Sequence, residues 1–305
     1  KESVVKLSKS QRDFFTLGSL LKTQGYSTSF IYGGEGHFDN MRHFFMGNGF
    51  DRVIDQNDYE NPVFLGSWGV SDEDLFERAH KAFEAADRPF FSLVFSSTNH
   101  SPYEYPDGRI ELYEQDPNTV NNAVKYADHA LGEFFEKARK SSYWEDTIFL
   151  VVADHNSRVY GASLVPIERF HIPALILGGS VSPARHSQIA SQIDLAPTLL
   201  SLMGLSTEHP MVGHDLTRPE YAQGVGRAIM QYYTSMAYLE DDRVVVLQRD
   251  LAPRQFIYRE LDYGEESPPE EDMLGKALSY ANWSDLAYEN LWYRLPVAKS
   301  TLAAP

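Results

Sequence analysis

Ile148-Phe149-Leu150-Val151-Val152-Ala153-Asp154-His155 is the stretch on which the reading of this 305-residue chain turns. An unbroken apolar run of strand length is the pattern of a strand covered on both faces, as in a parallel sheet flanked by helices. The run ends on a carboxylate followed by an imidazole. Adjacent oxygen and nitrogen donors on a strand-end turn can both face one cation, and such a pair suits zinc or manganese better than magnesium. Two donors do not fill a coordination shell, and on spacing alone the dipeptide reads equally as an aspartate capping a helix beside an incidental histidine.

Working outward, 121–140 is a long amphipathic helix with Val124, Ala127, Leu131, Phe134 and Phe135 along one side, and 172–177 is the next strand. The same unit occurs twice upstream. Apolar residues Phe14, Phe15, Leu17, Leu20 and Leu21 fall at helical spacing, Gly25 stops that helix, and strand 27–32 runs into the glycine loop Gly33-Gly34-Glu35-Gly36. Then 72–86 is helical, 90–95 is a strand, and a polar loop follows. A helix over 188–203, broken by Pro197, closes the series at Gly204. Helices alternating with strands predict an α/β fold, a mostly parallel sheet sandwiched by helices, whose ligands gather at the carboxyl ends of the strands. The loops to inspect are therefore 33–40, 96–103 and 154–160.

Past residue 217 the texture changes. Short aromatic or β-branched runs at 228–233, 235–239, 243–248 and 255–259 predict an antiparallel meander. The stretch 264–272, with Pro268-Pro269 among acidic residues, reads as a loop or linker, and helical patterning returns from Met273. This gives two domains: an α/β domain over 1–217 and a smaller β-rich subdomain with a helical tail over 218–305.

Composition narrows the function. With 27 Lys+Arg against 43 Asp+Glu, the formal charge of -16 repels a phosphate backbone, which argues against nucleic acid as a partner. An anionic substrate would then need a local cation, and a metal ion supplies one. The absence of cysteine removes disulfides, zinc-thiolate sites and thiol nucleophiles together. No apolar run reaches membrane-spanning length. The chain starts at Lys1 with neither a methionine nor a signal-peptide core, so it is expected to be a fragment with material upstream.

Further candidates sit in the predicted loops. In Ser96-Ser97-Thr98-Asn99-His100-Ser101-Pro102-Tyr103, His100 is placed to protonate a leaving group or hold a phosphoryl oxygen and Asn99 to add a donor; the alternative is a plain chain reversal. The glycine loop permits close backbone approach to a ligand, yet its spacing is neither a Walker A loop nor a dinucleotide fingerprint; the alternative is a turn into the helix near Met41. His171, just before a strand, can return to the Asp154 site, although a lone histidine there is more often structural. Arg158 can clamp an anion or simply be a solvated loop arginine. His43, His80, His129, His186, His209 and His214 read as surface or packing residues.

Taken in order, these segments resemble a known family. Gln24-Gly25-Tyr26, Tyr32-Gly33-Gly34 with Phe38-Asp39-Asn40, Trp68-Gly69-Val70 before Asp72-Glu73-Asp74-Leu75-Phe76, Thr98-Asn99-His100 with Pro102-Tyr103, Ala153-Asp154-His155, His171-Ile172-Pro173 and Gln192 through Leu200 follow one another. This is similar to the lipoteichoic acid synthase and phosphoglycerol transferase branch of the sulfatase-like alkaline phosphatase superfamily, over residues 14–217. The resemblance implies Asp154 and His155 as metal ligands, His100 as the catalytic histidine, and Asn99, Arg158 and His171 as substrate-binding residues. Gln192 through Leu200, with Asp194, matches a segment of architectural role.

The implied cofactor is a divalent metal, manganese first, with zinc or magnesium as alternatives. The implied reaction is metal-dependent transfer of a phosphoglycerol-type group from an anionic phospholipid head group to an envelope glycan or lipid acceptor. It would take place in the periplasm, or on the extracytoplasmic face of a bacterial inner membrane, with membrane contact through helices upstream of this chain. The family's threonine nucleophile and glutamate ligand also lie upstream of the Gln-Gly-Tyr segment, where this chain offers only Thr16, inside a predicted helix. Asp39 and Met41 stand where the lipoteichoic acid branch carries an aromatic and an arginine, which sets a polyglycerolphosphate substrate apart. Two other readings are a sulfatase or phosphodiesterase-type hydrolase on the same scaffold, and a non-catalytic fragment or glycan-binding module.

Overall fold

The computed structural model describes residues 4–6, 12–156, 159 and 161–295. The chain divides into two compact units, 2–147 and 148–305, and each is described by itself.

In the first unit, α1 (Leu17–Thr23) begins one residue after Thr16. The Thr16 hydroxyl accepts the Ser19 amide at 2.9 Å, the Ser19 hydroxyl accepts the Thr16 amide at 2.9 Å, and the Thr16 hydroxyl also donates to the Asn48 carbonyl at 2.6 Å. The helix therefore starts later than the apolar spacing predicts, because the cap fixes an extended residue at 16. Thr16 lies outside the helix and is fully occupied. Gly25, at φ +86°, ends the turn that follows, a backbone conformation a side chain would strain.

β1 (Ser27–Tyr32) is the centre of a three-stranded parallel sheet ordered β2 (Arg52–Ile54), β1, then the strand Phe90–Phe95. α2 (Met41–Gly47) leads into β2. Phe30, Tyr32, Met41, Phe50 and Val53 form the core beneath this sheet. Between β2 and the third strand stand a short hairpin, β3 (Leu65–Gly66) with β4 (Gly69–Val70), and the helix α3 (Asp72–Glu84). The third strand, Phe90–Phe95, is β5; it runs beside β1 in register from Ser27 opposite Phe90 to Tyr32 opposite Phe95. α4 (Val120–Ala138) packs on α3, with Phe134 against Phe76 at 5.7 Å and Phe83 at 6.2 Å between ring centroids. Its buried residues Ala123, Tyr126, Ala130, Phe134 and Ala138 recur at helical spacing, which is why this segment folds as one helix.

In the second unit, β6 (Ile148–Val152) pairs with β7 (Ala174–Gly178) antiparallel, Ile148 opposite Gly178 and Val152 opposite Ala174. Both were expected as members of a parallel sheet. Among its described residues the connection 153–173 carries only the 3₁₀ turn Ile167–Phe170, not the crossover helix that brings a chain back parallel. α5 (Leu195–Leu202) and α6 (Pro219–Ala222) follow, shorter than the helix expected over 188–203.

The meander is as expected and has one strand more. β8 (Arg227–Tyr232), β9 (Ser235–Glu240), β10 (Arg243–Leu247), β11 (Arg254–Arg259) and β12 (Asp262–Ser267) pair in sequence as one antiparallel sheet. Period-two alternation sorts its faces. Ala237, Leu239, Val244, Val246, Phe256 and Tyr258 share one cluster with Val165 and Ile167. Tyr238 and Val245 face the other way, onto Met273 and Ala277 of α7 (Glu271–Glu289).

Candidate functional site

Asp154 and His155 follow β6 directly and are both exposed. One Asp154 carboxylate oxygen accepts the His155 amide at 2.8 Å, and the other lies 3.4 Å from His155 Nε2. His155 Nδ1 approaches the Asn156 carbonyl at 2.8 Å. If Nδ1 carries the proton, Nε2 keeps a free lone pair beside a carboxylate oxygen, one nitrogen and one oxygen side by side. The strand end is braced from below: Gln192 Nε2 donates to the carbonyls of Ala153 at 2.9 Å and Asp154 at 3.0 Å. The architectural role expected of the Gln192 segment is this support of the Asp154 turn.

His171 lies at the same end of the β6–β7 ribbon, since Val152 is opposite Ala174 and His171 precedes Ala174 by three positions. It too is exposed, just past the turn Ile167–Phe170. Arg158 lies outside the described residues. The donors present fit half of a coordination shell for a borderline divalent metal. The antiparallel pairing, which their spacing did not predict, puts His171 at the same end of the ribbon as Asp154 and His155.

Asn99 and His100 belong to the first unit, in the loop after β5, and both are exposed. The His100 amide donates to the Ser97 carbonyl at 3.0 Å, closing a turn, and Tyr103 donates to the His100 carbonyl at 2.8 Å. His100 Nδ1 approaches the Ser101 carbonyl at 2.8 Å. Trp68 supports the loop from the side: its ring centroid lies 4.0 Å from that of His100, and its indole N–H donates to the Ser101 carbonyl at 2.7 Å. Phe38 meets Trp68 edge-on at 5.3 Å. A shallow recess here is lined by Ser67, Trp68, Ser97, Thr98, His100 and Glu104. The Ser67 hydroxyl and amide hold the Glu104 carboxyl below its ordinary pKa, the amide at 2.7 Å. Trp68 was legible only as part of a family segment, and its role beside His100 was missed.

The glycine loop has a packing explanation. A Cβ on Gly34 would sit 2.6 Å from the Trp68 carbonyl, and one on Gly69, at φ +116°, would sit 2.1 Å from the Gly33 carbonyl. Val70 donates to that same Gly33 carbonyl at 3.0 Å. The glycines let the β3–β4 hairpin press on the end of β1, which carries Trp68 to the His100 loop.

Among the described residues, one trio of possible metal ligands comes within 4.8 Å: Glu73, His129 and Glu133. Arg109 Nε already stands 3.3 Å from Glu73, and the Tyr126 hydroxyl donates to it at 2.9 Å, so the positive charge there is supplied by the chain. His80 is a packing residue bonded to the Tyr143 hydroxyl at 2.7 Å, and His214 is stacked on Tyr221 at 4.1 Å. Burial and the Arg227 charge depress the His214 pKa.

A buried ion pair ties the second unit together. Arg227 donates through both terminal nitrogens to Asp194, at 2.7 and 2.8 Å, and the two side chains are 3% and 1% exposed. Asp194 further accepts the Ser191 amide at 2.8 Å and the His214 amide at 2.7 Å. With all four contacts inside the fold, Asp194 serves architecture.

Residues 2–205 match the sulfatase family, and the chain belongs to it. The fold is that of the alkaline phosphatase superfamily: a solved member from Vibrio parahaemolyticus superposes with a TM-score of 0.92 at 51% identity, over 97% of this chain and 73% of that one. The lipoteichoic acid synthase LtaP from Listeria monocytogenes shares the fold with a TM-score of 0.73 at 21% identity, over 95% and 75% of the two chains. Among curated proteins, the lipoteichoic acid synthase-like YvgJ of Bacillus subtilis is 26% identical over 68% of this chain and 38% of its own length. Phosphoglycerol transferase I of Xanthomonas campestris is 29% identical over 61% and 28%. The chain thus spans well under half the length of these relatives. Among the described residues no helix is long and apolar enough to cross a membrane.

Proposed function

We propose that this chain forms the metal-holding and substrate-facing part of an enzyme that transfers a phosphoglycerol-type group from an anionic phospholipid head group to an envelope glycan or lipid acceptor. The observation that carries the reading is the exposed Asp154-His155 pair at a braced strand end, in a sulfatase-family chain whose relatives include phosphoglycerol transferases. Asp154 and His155 would hold a divalent cation, manganese first, with zinc or magnesium as alternatives. When bound, such an ion supplies Lewis-acid charge for phosphoryl oxygens.

The chain's own residues would do the rest. His100, packed against Trp68 with its ring tilted at 52°, gives or takes a proton at the leaving or attacking oxygen, Asn99 adds a neutral donor, and His171 and Arg158 bind the anionic group. Thr16, whose hydroxyl is engaged in the α1 cap, is not assigned a catalytic role. The same reading places the work in the periplasm or on the extracytoplasmic face of a bacterial inner membrane. It takes 1–217 as the sulfatase-type domain and 218–305 as a C-terminal subdomain, supported by the end of the family match at 205 and the start of the five-stranded sheet at Arg227.

Titration of the chain with manganese or zinc, alongside Asp154→Ala and His155→Ala, tests the assignment. The expected result is stoichiometric binding that each substitution weakens at least tenfold, with loss of transfer in the full-length protein. An Asp154→Ala protein that keeps both metal and transfer activity refutes it.

A further inference from the structure

Beneath the Ser97–His100 turn lies a buried carboxyl group. Asp72, the first residue of α3, is 1% exposed, and neither of its carboxylate oxygens completes a hydrogen bond. The Thr98 hydroxyl and the amides of Thr98 and Ser97 face it from the loop above without reaching full hydrogen-bond geometry.

Its acidic neighbours are all employed. Ser71 caps α3 by accepting the Asp74 amide, and Asp74 accepts the Ser71 hydroxyl at 2.6 Å and the amides of Val63 and Phe64 at 2.9 and 3.2 Å. Glu73 is bonded to Tyr126 and Arg109. Helix capping and helix packing are therefore complete without Asp72.

A buried carboxylate with loose partners works against stability, because burial disfavours its charged form. That penalty raises the Asp72 pKa despite the three donors that pull it down. A carboxyl group kept buried at such a cost against one loop points to a role in that loop.

We propose that Asp72 is a positioning residue for His100: its carboxylate orients the Ser97 and Thr98 amides and the Thr98 hydroxyl, and so sets the turn that presents Asn99 and His100. Trp68 fixes the outer side of that turn through the His100 ring and the Ser101 carbonyl; Asp72 fixes the inner side. The proposal rests on the reading of His100 as a substrate-facing group.

Asp72→Asn keeps the shape and removes the charge. The expected signature is a melting temperature equal to or above wild type together with a kcat lowered roughly 10- to 100-fold at nearly unchanged KM in the full-length protein, the scale of a displaced catalytic group. In the chain itself, the His100 ring resonances and their titration should shift. Thr98→Val, which removes one facing donor, should move the same signals in the same direction.

Asp72→Asn with His100 resonances at wild-type positions overturns the proposal, whatever happens to melting temperature or rate. Shifted resonances with unaltered kcat leave Asp72 as the positioning residue and refute the role given to His100. His100→Ala checks that role separately, since full transfer activity in it defeats the reading without touching the Asp72 coupling.

Discussion

Replacing Arg227 with methionine should be the most damaging single change in the second unit. The guanidinium is 3% exposed and makes two parallel bonds to an Asp194 carboxylate that is 1% exposed. Burial alone would lower its pKa, but the bonds to Asp194 and to the Tyr280 hydroxyl at 3.1 Å raise it, so the guanidinium keeps its charge. Arg227→Met would leave Asp194 charged, buried and supported only by the Ser191 and His214 amides. Stranding one member of a buried pair costs about 3–5 kcal/mol, whereas exchanging the whole pair for neutral groups costs far less.

Urea unfolding followed by circular dichroism should therefore place Arg227→Met about 3–5 kcal/mol below wild type. The Asp194→Asn, Arg227→Met double variant should recover part of that loss, a coupling that a double-mutant cycle measures. The damage should fall on the junction of β8 with the start of α5, since Arg227 opens one and Asp194 precedes the other. A loss below about 1 kcal/mol for Arg227→Met, or purely additive single effects, would refute the reasoning.

Two further outcomes follow from the geometry. Gln192→Ala removes the brace under the Ala153 and Asp154 carbonyls, and metal affinity at the Asp154-His155 pair should fall about tenfold by titration, with unchanged affinity counting against the brace. The acid limb of stability should move with Arg42. Burial raises the Asp55 pKa, but the Arg42 bonds at 3.0 and 2.6 Å and the Asn57 amide at 3.1 Å outweigh it and hold the carboxyl below its ordinary value. A depressed folded pKa means that Asp55 stabilises the fold above the unfolded value of about 3.9, and that this contribution fades as pH falls through the folded one. Arg42→Ala removes that depression, so the variant should be less stable than wild type at neutral pH, with the gap narrowing as pH falls through the wild-type Asp55 pKa; a gap that does not change with pH would contradict it.

Local rules carried the reading a long way. Ser27–Tyr32 is the strand that its composition predicts, Gly25 stops the preceding turn with a positive φ, and the meander emerges from β-branched runs between acidic turns. Each of these depends on neighbours in sequence, so periodicity and turn chemistry suffice. β12 escaped because it lies at the sheet edge, exposed on nearly every residue, where Asp262, Glu265 and Glu266 satisfy it better than apolar residues would. That composition reads as loop.

Ala153-Asp154-His155 and Thr98-Asn99-His100 could be singled out in the chain as donors at strand ends, and the resemblance gave them roles. Strand pairing decided the rest. Periodicity identifies β6 and β7 as strands but says nothing of the hydrogen bonds between them, and their antiparallel pairing is what sets His171 at the Asp154 end. Trp68 reaches His100 across 32 positions because glycines at 33, 34 and 69 let two backbones meet. Arg227 finds Asp194 across 33. The burial of Asp72 without a full partner has no sequence signature at all, since its acidic neighbours Glu73 and Asp74 look the same in the chain and differ only in what the fold brings to them. Sequence indicated the type of most segments and the donor groups each loop carries; the tertiary structure settled which charges are paired, because desolvation and partner geometry exist only once distant segments pack.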